Sequence, residues 1–157
     1  MEKFFESLER AERSLRIADH MTYVTLPLVK EQRLLLKILE EVFNSVLNTV
    51  NSILQYEYFS KRINLYSNAK DNFEVFRVKL AGKYGISEQQ VAKILELFLL
   101  AEKHRASPFE FVKHDKIVIM SGSMQIASFD IVKIKEYLLV AKDILSKTRD
   151  SLSRGKI

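Results

Sequence analysis

Residues 42–56, VFNSVLNTVNSILQY, form an uncharged stretch between Glu41 and Glu57 that decides the fold. Apolar residues recur in this stretch every three or four positions, which predicts a helix. A helix without a charged face must be covered on most of its sides. We therefore expect residues 42–56 to form the middle of a long central helix, predicted over residues 29–62, on which the other elements pack.

Amide side chains form a second stripe along this central helix. The amides are those of Asn44, Asn48, Asn51 and Gln55. Inside a helical bundle they can bond to other helices or to a symmetry mate and fix the register. Alternatively, the stripe is partly wet and lines a groove. We favour an interface, because the neighbouring Ser45, Thr49 and Ser52 are small enough to let another helix come close.

Amphipathic periodicity predicts four further helices. Their expected ranges are residues 2–21, 69–81, 88–105 and 131–151. Ser87 followed by Gln90 is a capping box that fixes the start of the third of these. Asp130 is expected to be the N-cap of the last one. Residues 22–28 are β-branched and contain Pro27, so we expect a turn between the first helix and the central one.

Two short strands are predicted before the last helix. Residues 116–120 and 124–128 are rich in β-branched and apolar residues and flank a turn that contains Gly122, which is typical of a β-hairpin. The sequence thus predicts an all-α fold, a bundle of about five helices in one domain over residues 1–157, with a small hairpin at about 116–128.

Composition limits the classes of protein to which the chain can belong. It has 157 residues and no cysteine, so disulfides, thiolate metal sites and cysteine nucleophiles are excluded. Residues 1–6 contain no apolar core of a signal peptide. The uncharged stretch is shorter than the ~20 residues that span a bilayer. We expect a cytoplasmic protein that does not enter a membrane.

Positive charge is concentrated in the second half of the chain. Residues 1–60 carry 7 Lys and Arg against 9 Asp and Glu, whereas residues 61–157 carry 18 against 11. Lys61 and Arg62 follow two aromatic residues, Tyr58 and Phe59, at the end of the central helix. Cations beside aromatic rings are typical of nucleic-acid surfaces, where they contact phosphates and bases. Lys61 and Arg62 are therefore candidates for contact with RNA; the simpler alternative is that the aromatic residues of this half belong to the core.

A second basic cluster lies around the predicted hairpin. Its members are His104, Arg105, His114 and Lys116. If the Ser107-Pro108 loop folds back, they converge on a basic pocket, or the two imidazoles pair as metal ligands. Otherwise they lie separately at solvated helix ends and loop edges. The chain has no phosphate-binding loop and no metalloprotease or esterase motif, and we expect neither a cofactor nor a bound metal.

Arg13 and His20 are the candidate catalytic residues. Six residues separate them, which resembles the Arg-x(4–6)-His motif of HEPN-type ribonucleases. In that family the two side chains face an RNA phosphate and assist attack by the 2′-hydroxyl, without a metal. Seven positions apart on a helix, Arg13 and His20 share one face. The resemblance implies a ribonuclease; the alternative is a surface arginine and a helix-end histidine.

Longer segments carry a second resemblance. Residues 17–30 (IADHMTYVTLPLVK), 61–63 (KRI) and 104–112 (HRASPFEFV) are similar to those of a group of small archaeal proteins of unassigned function. This resemblance implies an archaeal cytoplasmic protein and supplies no activity. Taken together, these patterns favour a non-enzymatic binding or assembly module that contacts RNA or another protein, or pairs with a second copy of itself. A metal-independent ribonuclease is the alternative.

Overall fold

The computed structural model describes residues 3–155 and is mostly helical, with a small antiparallel sheet before the last helix. The helices are α1 Lys3–His20, α2 Leu26–Val29, α3 Leu34–Phe59, α4 Ala69–Val75, α5 Glu88–Ala106 and α6 Ile131–Gly155. The strands are β1 Phe109–Lys113, β2 Lys116–Met120 and β3 Ile126–Phe129. At this level the predicted helical fold is confirmed. The predicted helix start at residue 2 lies outside the described residues.

The predicted turn at residues 22–28 is wrong, because the chain stays helical there. A π-helical turn, Met21–Thr25, joins α1 directly to α2, and the amide of Leu26 donates to the carbonyl of Met21. Pro27 is the second residue of α2, directly after this π-helical turn. The turn already departs from the regular hydrogen-bond pattern of an α-helix, so a residue without an N–H is accommodated there. The reversal of the chain comes later, at Lys30, whose φ of 58° is left-handed.

The central helix α3 is shorter than the predicted 29–62. Its 26 residues span about 39 Å at 1.5 Å per residue. The helix ends in a Schellman motif: the amide of Lys61 donates to the carbonyl of Tyr58 at 2.9 Å, and the amide of Arg62 donates to that of Glu57 at 2.9 Å. Lys61 takes the left-handed φ of 61° that this motif requires.

Small side chains on α3 let α1 approach closely, as predicted. Ser45, Thr49 and Ser52 are all buried. The hydroxyl of Ser45 donates to the carbonyl of Ala11 across the helix pair at 2.9 Å. The neighbouring helix is therefore α1 of the same chain.

The predicted capping box at the start of α5 is confirmed. The amide of Gln90 donates to the Ser87 hydroxyl at 3.1 Å, and the Ser87 amide donates to the side chain of Gln90 at 3.1 Å. Gln90 also donates to Asp143 of α6 at 2.5 Å, so the cap joins α5 to α6. Asp130 is an N-cap as well, since its carboxylate accepts from the amide of Lys133 at 3.2 Å.

The predicted hairpin is part of a three-stranded sheet with the order β1-β2-β3. Strand β1, which was not predicted, pairs with β2 in antiparallel register from Phe109 opposite Met120 to Lys113 opposite Lys116. The inner face of the sheet packs on the core through buried Ile117, Ile119 and Phe129.

The core is one apolar cluster that draws on every helical run and on the sheet. Its largest buried side chains come from four helical runs and β2: Leu35, Ile38, Leu39 and Ile53; Phe76; Ile94 and Leu97; Ile134, Tyr137 and Leu138; Ile117 and Ile119. Within residues 3–155, none of the helices combines the length and the apolar character that crossing a bilayer requires.

Candidate functional site

A groove lies between α3, α4 and α5. Its volume is about 910 Å³. The lining includes Phe43, Leu47, Val50, Asn51 and Leu54 from α3, residues 69–74 from the start of α4, and Leu95, Phe98, Leu99, Glu102, Arg105 and Ala106 from α5. Apolar lining with a few polar groups at this volume is typical of a binding site. We call it the α3–α5 groove.

Aromatic rings form the floor of the α3–α5 groove. The ring of Phe98 lies 5.3 Å from that of Phe43 and 5.4 Å from that of Phe73, at interplanar angles of 70° and 57°. Leu95 and Leu99 stand beside this floor and are 42% and 48% exposed. The groove therefore offers apolar surface that no described residue covers.

A network of charged groups closes one end of the groove. The Arg105 guanidinium lies 4.2 Å above the ring of Phe43 and donates to Glu40 at 3.0 Å. His104 lies between two carboxylates, with Nδ1 2.5 Å from Glu110 and Nε2 3.8 Å from Glu40. These contacts join α5 to α3 and to β1. His104 and Arg105 are thus engaged within the protein.

The two predicted histidine partners are not brought together. His114 lies in the two-residue turn after β1, with a left-handed φ of 56°, whereas His104 contacts the second residue of that strand. A five-residue strand rises about 13 Å between its ends. Among residues 3–155, no three His, Asp or Glu side chains are grouped so that they could hold a metal ion.

The amide stripe is half-buried, and its members differ in role. Asn51 lines the groove. The side chain of Asn48 donates to the carbonyl of Asn44 at 2.8 Å, one turn earlier in the same helix. The Ser7 hydroxyl of α1 donates to the side-chain oxygen of Gln55 at 2.9 Å, which is the predicted contact between helices. The groove-lining alternative describes the position of Asn51, while the bond between Asn48 and Asn44 stays within α3.

Arg62 pairs with a buried carboxylate at the end of α3. Glu57 is fully buried and pairs with both Arg62 and Lys83. The hydrogen bond to Glu57 raises the pKa of Arg62 above its usual value. Burial raises the pKa of the adjacent Tyr84, and the Glu57 carboxylate raises it further. Arg62 is therefore tied to the protein, whereas the neighbouring Lys61 is exposed.

Arg13 and His20 both lie on the exposed side of α1. Seven positions correspond to about 10 Å along the helix axis. Asp19, beside His20, pairs with Lys142 of α6 at 2.6 Å. Neither Arg13 nor His20 has a hydrogen bond or an ion pair in the described part of the chain. Their side chains are available, but they are not placed in a cleft.

The apolar lining of the groove was not predicted, although the sequence contains a signal for it. Six of the seven residues 94–100, ILELFLL, are apolar. One buried stripe of a helix needs only three or four apolar residues in two turns. Leu95 and Leu99 are the additional apolar residues, and they lie on a second apolar face of α5.

Comparison with models of known protein families, with curated proteins and with solved structures returned no match.

Proposed function

We propose that the protein is a non-enzymatic docking module whose α3–α5 groove receives an amphipathic helix of a partner protein. The observation that carries this proposal is the uncovered apolar floor of the groove, with Leu95 and Leu99 at its edge. Exposed apolar surface that is rimmed by polar residues typically marks an interaction site.

The dimensions of the groove suit a helix. Its lining runs from Phe43 to Leu54 on α3, which corresponds to about 16 Å or three helical turns. A helix that docks in such a groove presents apolar anchors at positions i, i+3 or i+4, and i+7. Three turns are enough to place those anchors over Phe43, Phe73 and Phe98.

The charges at the rim favour a basic partner. Arg105 pairs with Glu40, and Glu74 of the rim pairs with Arg77. Asp71 and Glu102 form no ion pair among the described residues. Lys70 is the one rim cation without an ion pair there, so the unpaired charge of the rim is negative by one. A partner helix with lysine or arginine beside its apolar face would therefore complement the rim.

The test is a selection of helical peptides against the purified protein, followed by anisotropy measurements with labelled peptides. We expect the selected peptides to carry apolar residues at helical spacing with basic flanks. Leu99→Glu should weaken binding by at least about tenfold, because it places a charge against the apolar face of the bound helix. Leu139→Glu is the matched control, because Leu139 is 67% exposed on α6, which does not line the groove. Equal binding by both variants would contradict the proposal.

A second candidate function is metal-independent cleavage of RNA. It is favoured by the exposure of Arg13 and His20 on one side of α1 with no partner in residues 3–155. The test is incubation of the purified protein with labelled RNA in EDTA. Cleavage that is lost in Arg13→Ala and in His20→Ala, but kept in the control Arg16→Ala, would support this candidate; intact RNA would remove it.

A further inference from the structure

The sheet has an outer face that no described element covers. Side chains alternate along a strand, and directly opposed residues share a face. The outer face therefore carries Phe109, Phe111 and Lys113 from β1, Lys116, Val118 and Met120 from β2, and Ile126 and Ser128 from β3. Val118 is only 8% exposed, yet it does not belong to the core cluster, so its neighbours on this face shield it.

Two aromatic rings form a platform on the outer face. Phe109 and Phe111 stand two positions apart on β1, with ring centroids 5.5 Å apart and an interplanar angle of 43°. Phe109 is 55% exposed. Exposed rings on a sheet are suited to stacking with nucleic-acid bases, because every base presents a flat π-face.

Positive charge lies at one end of this platform. Lys113 and Lys116 are directly opposite each other in the register and are both exposed. Like charges at opposed positions destabilise a strand pair. Neither lysine has an ion pair among the described residues, no acidic side chain lies on the outer face, and the turn between them contains His114 and Asp115. An anion bound between the lysines would offset their repulsion.

We propose that the outer face binds single-stranded nucleic acid, with bases stacked on Phe109 and Phe111 and with phosphates against Lys113 and Lys116. The charges favour this occupant over a second copy of the chain, because a copy would bring the same lysines to the face. The site is distinct from the α3–α5 groove and does not depend on it.

The test uses fluorescein-labelled ten-nucleotide oligouridylate and oligothymidylate, with anisotropy measured between about 20 and 200 mM salt. We expect binding at low salt to either oligonucleotide, with the tighter one identifying RNA or DNA as the natural class. Phe109→Ala should weaken binding by about tenfold or more, through the loss of a stacking partner. Lys113→Glu with Lys116→Glu should reduce the log–log salt slope by about 1.4, since each lost phosphate contact removes roughly 0.7.

Lys37→Glu with Lys79→Glu is the matched control, because it makes the same change in charge at exposed lysines of α3 and of the π-helical segment Phe76–Leu80 that continues α4. This control should retain most of the affinity. Melting curves followed by circular dichroism establish that all variants fold. The proposal is overturned if the wild-type protein binds neither oligonucleotide at 20 mM salt, if Phe109→Ala binds as tightly as wild type, or if light scattering reveals a dimer that Phe109→Ala dissociates.

Discussion

Lys61 occupies a backbone conformation that suits glycine. Its φ is 61°, and a residue with a Cβ pays roughly 1 kcal/mol there. We predict that Lys61→Gly raises the free energy of unfolding by up to about 1 kcal/mol, as measured by urea denaturation. Lys61→Ala removes the same charge but keeps a Cβ, so it should give no stabilisation. Equal stability of the two variants would show that the left-handed φ carries no strain.

The burial of Glu57 could not be predicted from the sequence around it. Glu57 follows an uncharged stretch, a position that is typical of a solvated helix end. Its partner Arg62 was predicted to contact the phosphates of RNA. The second partner, Lys83, comes from a turn 26 positions later. Such pairing depends on how α3 and the turn after α4 pack together, and no local spacing encodes it.

At the scale of an element, the start of α5 provides a test of local sequence rules. Ser87→Ala removes the acceptor for the amide of Gln90. We predict a loss of about 1 kcal/mol in the free energy of unfolding, measured by thermal or urea denaturation. Ser67→Ala is the matched control, since Ser67 is exposed and its hydroxyl makes no hydrogen bond among the described residues. A loss well below 0.5 kcal/mol for Ser87→Ala would mean that the bond to Asp143 holds the helix start without the cap.

Elements with local signals were predictable, and elements that depend on tertiary contacts were not. The caps of α5 and α6 follow from neighbouring residues. Strand β1 needs β2 as its hydrogen-bonding partner, although alternation of Phe109 and Phe111 with Glu110 was a usable signal. No local sequence rule indicates the π-helical turn before Pro27, so the proline predicts a break where the helix in fact continues.

At the scale of the whole molecule, α5 and α6 are joined by ion pairs that respond to acid. Burial alone would raise the pKa of Glu96, but hydrogen bonds from Lys133 and Tyr137 outweigh it and hold that pKa below its usual value. Lys133 likewise lowers the pKa of Glu136. The hydrogen bond from Lys147, and to a smaller extent the one from Gln90, lowers the pKa of Asp143.

These lowered pKa values set the direction of the pH dependence. A carboxyl group with a lower pKa in the folded state stabilises the fold fully above its unfolded pKa, about 4, and this contribution is lost as the pH falls through the folded pKa. We predict that the free energy of unfolding decreases from about pH 5 to pH 3 in urea titrations. Lys133→Met should make the decrease shallower. Constant stability over this range would contradict the prediction.

The position of Tyr56 at the end of α3 has a consequence for chain connectivity. Its ring lies 5.1 Å from that of Phe4, and its hydroxyl donates to the carbonyl of Gly155 at 3.1 Å. The first and the last helical turn of the described chain therefore both contact the side chain of Tyr56. Neighbouring ends permit circular permutation.

A permutant that joins residue 155 to residue 3 through a short Gly-Ser linker and opens between the exposed residues Asn64 and Leu65 should keep the helical circular-dichroism spectrum. It should also melt cooperatively. A permutant opened inside α3, at Val50, is the control that should fail to fold, because it divides the helix on which α1, α5 and α6 all pack. The order of the helices along the chain is thus separable from their arrangement in space.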